Sequence, residues 1–353
     1  VPRPRPVPLS RRALLGPLAA VALGVSGCGV RWVPGPEATP TAQPGPDDDA
    51  REAAVASSRD LLTLLSSAAT GAEPLRTAAL QGVQVVQAHL VALGGDPATP
   101  TPTGPATDAG TVADRLATGA GTVLALATST GAVVGGATAR LLVSLAASRA
   151  VLADAVAAAT GTGPAPDPVP PTGEPTPAPP APTTATTPAG PPTGEAENPG
   201  TAALQRALAG EHAAVHGYAL VVARLPEPRR TEAAGDLQAH RTARDDLVDL
   251  LTARGATPVQ AAAGYDVAAP TAQAALALAA SMDERLATLY ADVVAASTPD
   301  RDACGRAVLT AARRAHRWGS SVLAFPGSPE LGEDGSPAPT TEPAGSPTTS
   351  RTP

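Results

Sequence analysis

Residues 161–200 read GTGPAPDPVPPTGEPTPAPPAPTTATTPAGPPTGEAENPG, and no packed interior can be built from them. Proline withholds the N–H that helices and sheets need, and the block has too little apolar area to offset the entropy of ordering. Such a block acts as an extended, semi-rigid spacer. Stretches of similar composition occupy 29–48, a tether, and 327–353, a tail. With 41 prolines and 34 glycines in 353 residues, the chain cannot be one uninterrupted globule. Two segments remain that can bury a core, 49–160 and 201–326.

The first segment predicts four helices: Arg51–Ala69, Pro74–Leu93, Thr111–Thr130 and Ala137–Ala159. The second of these places Ala79, Val83, Val86, Leu90 and Leu93 on one stripe at the helical period. Leu116 to Ala139 carries no charge, yet its Gly, Ser and Thr content favours a soluble helical pair over a membrane span. His89 falls beside the stripe and reads as a boundary residue. The segment offers no catalytic constellation, and its Ala/Gly-rich interior leaves open a cavity for a lipid-like ligand.

The second segment predicts helices Ala202–Leu225, Arg229–Arg254, Thr271–Ala296 and a fourth running from Thr298 to about Ala324. Pro226 and Pro228, then Gly255 and Pro258, mark the first two stops. Short connections favour an antiparallel up-down bundle. The expected fold class is all-α: two four-helix bundles joined by a disordered Pro/Thr-rich linker.

Residues 1–28 are read as an address rather than as structure. Arg3, Arg5, Arg11 and Arg12 precede an uncharged run from Ala13 to Gly27, which is too short for a stable span. Val25-Ser26-Gly27-Cys28 resembles the bacterial lipobox, whose cysteine is acylated and becomes the mature N-terminus. The expected location is the extracytoplasmic face of the plasma membrane, with a lipid anchor at Cys28. Ser10-Arg11-Arg12-Ala13-Leu14-Leu15 fits the twin-arginine export route, and the general secretory route stays open. The chain has 2 cysteines, so a lipidated Cys28 leaves Cys304 without an intrachain partner, as a small buried filler. A net charge of −7 with no basic stripe argues against nucleic acid as a partner.

The chemistry-bearing residues lie on apolar stripes of the second segment. Glu211 sits among Leu204, Leu208, Val215 and Tyr218 where a leucine would be expected, and His240 falls between Leu237 and Leu247. Asp283 lies on the third helix's stripe with Glu284 on the adjoining row, and His316 follows Leu309 and Ala312 on the fourth. Carboxylate and imidazole converging from facing helices can make an open metal site. The simpler alternative is a satisfied polar cluster completed by Arg244, Arg313 or Arg317. His212 and His216, one turn apart, read as exposed. Tyr218, Tyr265, Tyr290 and Trp318 read as packing anchors.

The stretches EHAAVHGY, AHRTARDDLVDLLTARGA, ASMDERLATLYADVV and RRAHRWGSSVLAFPG, spanning about 203–326, resemble the ferritin-like domain of unknown function of actinobacterial lipoproteins. The resemblance implies a ferritin-like four-helix bundle and brings no established activity. In the di-iron ferritin pattern two helices each give a Glu and two give Glu-x-x-His. Glu211 and Glu284 match the lone glutamates, and His240 and His316 match the histidines. Leu237 and Arg313 stand where the paired glutamates belong, which argues against two closely spaced irons.

The leading reading is a non-catalytic binding or scaffold protein of unknown ligand, anchored to the membrane, because no nucleophile–base pair or phosphate loop is present. The second reading is a metal-binding, redox-capable ferritin-like protein holding iron or zinc through Glu211, His240, Glu284 and His316. Both leave room for a dimer.

Overall fold

The computed structural model describes residues 44–102, 106–168 and 198–338. Cys28 and most of the 161–200 spacer lie outside the described residues. The described chain is all-α: α1 Pro46–Ala68, α2 Leu75–Leu93, α3 Ala109–Thr128, α4 Gly136–Thr160, α5 Pro199–Arg224, α6 Arg229–Ala253, α7 Ala272–Ala296 and α8 Arg301–Arg317. Among the described residues the only β pairing is an isolated bridge between Leu331 and Pro337.

Two helix ends differ most from the periodicity. α1 starts at Pro46 rather than Arg51, because Asp47, Asp48 and Asp49 suit the positive end of the helix and Pro46 costs nothing in the first turn. Asp48 also accepts from the Gly45 N–H at 3.0 Å. α8 stops at Arg317 rather than near Ala324. Gly319 turns left-handed at φ 115°, and the Ser320 N–H closes back onto the Ala315 carbonyl at 3.1 Å.

The two groups of four helices share one core. α4 is buried without interruption from Leu141 to Ala153. A helix apolar on every side must be enclosed, and α1–α3 alone cannot enclose it. It is long and apolar enough to cross a bilayer, but here α7 and α8 cover its remaining face. Leu142, Leu145 and Leu152 join Val293, Val294, Val308 and Leu309 in one buried cluster. At the start of α4, Gly136 meets the Ala295 carbonyl so closely that a β-carbon would not fit. Arg313 of α8 grips Asp154 of α4 through two bonds of 2.6 and 2.8 Å. Arg149 is fully buried with no carboxylate partner among the described residues, donating instead to Ser57, Ser58 and the Gly119 carbonyl; burial pushes its pKa down to about 9.

Residues 320–338 form a strap across the seam between the groups. Ser148 donates to the Leu323 carbonyl at 2.8 Å, and Arg140 reaches the Gly327 carbonyl at 2.8 Å. His89, expected at a boundary, is instead completely buried beneath the strap and bonds the Ala324 carbonyl at 3.0 Å. Burial, with the nearby Arg149 charge, pushes its pKa down to about 3.

The expected up-down order is also corrected. Glu211 meets Tyr290 while Tyr218 meets Asp283, so α5 and α7 run antiparallel. Leu225 meets Arg230 and Gln205 meets Thr257, which sets α5 antiparallel to α6. Asp236 meets Arg317 and Asp300 meets Arg254, so α6 and α8 are antiparallel as well. α6 and α7 must therefore be parallel, joined by a long crossover, residues 254–271. His212, expected to be exposed, is instead half-buried and bonds the Val259 carbonyl of that crossover at 3.2 Å; His216 is exposed, as expected, and packs on Tyr265.

Candidate functional site

Each helix of α5–α8 contributes polar groups to the bundle interior, spaced so that they share one face. α5 gives Glu211 and Tyr218, α7 gives Asp283 and Tyr290, and both pairs are two turns apart. α6 gives Asp236 and His240, and α8 with its C-terminal cap gives Arg314 and Trp318, each pair one turn apart. Because the neighbouring helices are antiparallel, the two residues on each helix fall into two stacked layers. Close packing of α5 on α7 makes this possible. At Gly210 and Gly217 a β-carbon would collide with Leu289 and Met282.

In one layer Glu211 is 2% exposed and both its oxygens are used. Oε1 accepts from the Tyr290 hydroxyl at 2.6 Å, and Oε2 lies 2.8 Å from His240 Nδ1. The other ring nitrogen of His240, Nε2, faces Arg314 Nη1 at 3.1 Å. A guanidinium can only donate, so Nε2 accepts and the ring proton sits on Nδ1, directed at Glu211.

In the other layer the Tyr218 hydroxyl donates to Asp283 Oδ2 at 2.6 Å, and Asp236 accepts from Trp318 Nε1 at 2.8 Å and Arg317 at 2.7 Å. Arg314 ties the layers together, with Nη1 3.3 Å from Asp283 Oδ1 and Nε 3.1 Å from Asp236 Oδ1. Asp283 is fully buried, and desolvation raises its pKa to about 6 despite the attraction of Arg314. Burial works against the charge of Arg314, but the carboxylates of Asp283 and Asp236 outweigh it, and its pKa is raised. Burial and the adjacent carboxylates also push the pKa of Tyr218 and Tyr290 upward.

The four residues expected to share a metal do not form one layer. Glu211 and His240 meet, whereas Glu284 and His316 turn elsewhere and converge on Ser320. Glu284 accepts from the Ser320 hydroxyl at 2.6 Å, and His316 Nδ1 donates to the Ser320 carbonyl at 2.9 Å. The cause is helical phase. Glu284 is one residue on from the inward Asp283, a turn of about 100°, and His316 is two on from the inward Arg314, about 200°. Among the described residues, no group of three or more His, Cys, Asp or Glu is arranged to hold a metal ion. Arg314 holds the place between His240, Asp283 and Asp236 that a cation would take, so the donor set does not fit a resident metal.

Arg314 and Asp236 were not among the expected members. A usable signal existed for Asp236, which lies one turn before His240 on the same face. Arg314 gave none, since an arginine beside an apolar stripe usually reads as solvent-facing.

A cleft of about 380 Å³ between α6 and α8 opens onto this layer, with Glu211, His240, Tyr290 and Arg314 on its inner wall. Asp283, the one carboxyl with a strongly raised pKa among the described residues, is sealed behind them and does not line the cleft. Cys304 is buried, and burial together with Asp300 pushes its thiol up to about 12, so it is no nucleophile.

Residues 203–330 match the family model of a domain of unknown function, DUF4439. A solved structure of a conserved hypothetical protein from Mycobacterium tuberculosis is 38% identical, covering 35% of this chain and 97% of that one, with a TM-score of 0.33. No curated protein matches the chain.

Proposed function

We propose that this DUF4439 domain, residues 203–330, is a ferritin-like bundle serving as a non-catalytic binding module of an exported, lipid-anchored envelope protein. The connectivity supports the ferritin-like part, because two antiparallel pairs joined by one long crossover is the arrangement of that fold. The export signal and lipobox ending at Cys28 support the address.

One observation carries the non-catalytic reading. Both carboxylate oxygens of Glu211 and both ring nitrogens of His240 are already engaged by protein partners, Tyr290 and Arg314 among them. A buried network satisfied at every member rigidifies a bundle and leaves no free base, nucleophile or ligand atom.

The test is metal analysis of untagged protein, comparing the unsubstituted chain with Glu211→Ala and His316→Ala. Sub-stoichiometric metal that is indifferent to both changes is the expected result. Stoichiometric iron or zinc lost on Glu211→Ala would overturn the reading. The anchor has a separate test. Cys28→Ser should move the protein from the membrane to the soluble fraction, and unchanged membrane retention would contradict lipidation.

A further inference from the structure

A second cavity lies away from the charged network, where the strap crosses α4, α7 and α8. Its volume is about 170 Å³. It exists because α7 and α8 present alanines there, Ala287, Ala312 and Ala315, and the strap cannot reach down to fill the space. Val151, Leu323 and Phe325 make the rest of an apolar wall.

The polar lining has one sign. Glu284 stands half-buried in the wall and Glu333 at the exposed rim, and no arginine or histidine lines the cavity. Glu284 is bonded to the Ser320 hydroxyl, and Glu333 accepts the Ala324 N–H at 2.8 Å. Neither carboxylate has a cationic partner among the described residues, unlike Asp154, Asp236, Asp292 and Asp300, which are all paired with arginines. A further lining residue, Ser328, is 1% exposed and its hydroxyl has no hydrogen-bond partner. Buried polar atoms in native folds are almost always satisfied, so an unmet hydroxyl at a cavity wall marks a place for a ligand atom or water.

We propose that this cavity binds a small organic cation: a protonated amine attached to an apolar group about the size of a benzene ring. Cavities of roughly 150 Å³ accept benzene, which sets the apolar part. The two unpaired carboxylates supply the counter-charge and reject anions. The inference names a ligand class for the binding module proposed above, and rests on that reading. Because the strap forms one wall, the occupied state would also fasten the seam between the two helix groups.

The experiment titrates the full chain calorimetrically with benzylamine, benzyl alcohol and benzoate. The expected result is one-to-one binding of benzylamine, with the alcohol and benzoate weaker by about tenfold or more, the loss of one charge-assisted contact. Glu284→Gln keeps the acceptor for Ser320 and should bring benzylamine down to the level of the alcohol without changing the melting temperature. Glu333→Gln should weaken it by a smaller factor, as befits a rim residue. Absence of benzylamine binding at millimolar concentration, equal binding of the alcohol, or an unchanged benzylamine affinity in both glutamine variants would each overturn the proposal. These readouts do not involve metal, so failure here with the metal analysis as expected would leave the non-catalytic reading in place.

Discussion

Arg314→Met is the most informative single change in this molecule. The guanidinium lies 3.1 Å from His240 Nε2, 3.3 Å from Asp283 and 3.1 Å from Asp236. Methionine fills much of the same volume and removes all three contacts. Asp236 retains Arg317 and Trp318. Asp283 retains only the Tyr218 hydroxyl, and its other oxygen then faces the bare Nε2 of His240 at 3.7 Å, acceptor against acceptor. Leaving a buried charge uncompensated costs about 3–5 kcal/mol, a fall in melting temperature of roughly 6–20 °C for a unit of this size.

The pH dependence gives the sharper test. Asp283 has a folded-state pKa near 6, above its ordinary 3.8. Its contribution to stability is therefore fully present below about 4 and is lost as pH rises through 6. Arg314 limits that loss by favouring the carboxylate, so its removal must hurt more as pH rises. The penalty for Arg314→Met should be clearly smaller at about pH 5 than at about pH 8 in urea unfolding. Adding Asp283→Asn should recover much of it, since an amide can accept from Tyr218 and donate to His240. An equal penalty at both pH values, or no recovery in the double variant, would refute the idea that Arg314 acts by neutralising Asp283.

Two further outcomes follow from the same geometry. Tyr290→Phe removes the hydroxyl that donates to Glu211 Oε1 at 2.6 Å and should cost about 1–3 kcal/mol in urea unfolding; a cost indistinguishable from zero would mean that water replaces the hydroxyl. His89, with its pKa held near 3, stays neutral in the fold and takes up a proton on unfolding below its ordinary 6.5. Stability should then be lost as pH falls from about 6.5 towards 3, by at most about 1.4 kcal/mol per unit. His89→Gln, which can still donate to Ala324, should flatten that slope, and parallel curves for the two proteins would show that the histidine is not responsible.

How far the sequence revealed this arrangement depends on the kind of information involved. Glu211 and His240 were legible because each interrupts a run of apolar residues at helical spacing, and only an inward partner makes such an interruption tolerable. The choice between Asp283 and Glu284 was not legible. A stripe broad enough to face a core spans both positions, and contact with Tyr218 selects Asp283. His316 was misplaced because α8 is buried on more than one side: Leu309 and Ala312, which set its stripe, belong to the shared core, whereas Arg314 is the residue that meets His240. Strand-like or helical periodicity carries no sign of direction, so the parallel run of α6 and α7 could be inferred only from the length of 254–271. The shared core was hidden for a different reason. A proline-rich spacer reads as separation, yet a long tether places no bar on the segments it joins coming together. The deciding signal was in α4 itself, where Leu141 to Ala153 offers no polar face to water except Ser144, Ser148 and Arg149, all of them buried. A helix of that kind demands neighbours on every side, and the second group of helices was the only part of the described chain able to supply them.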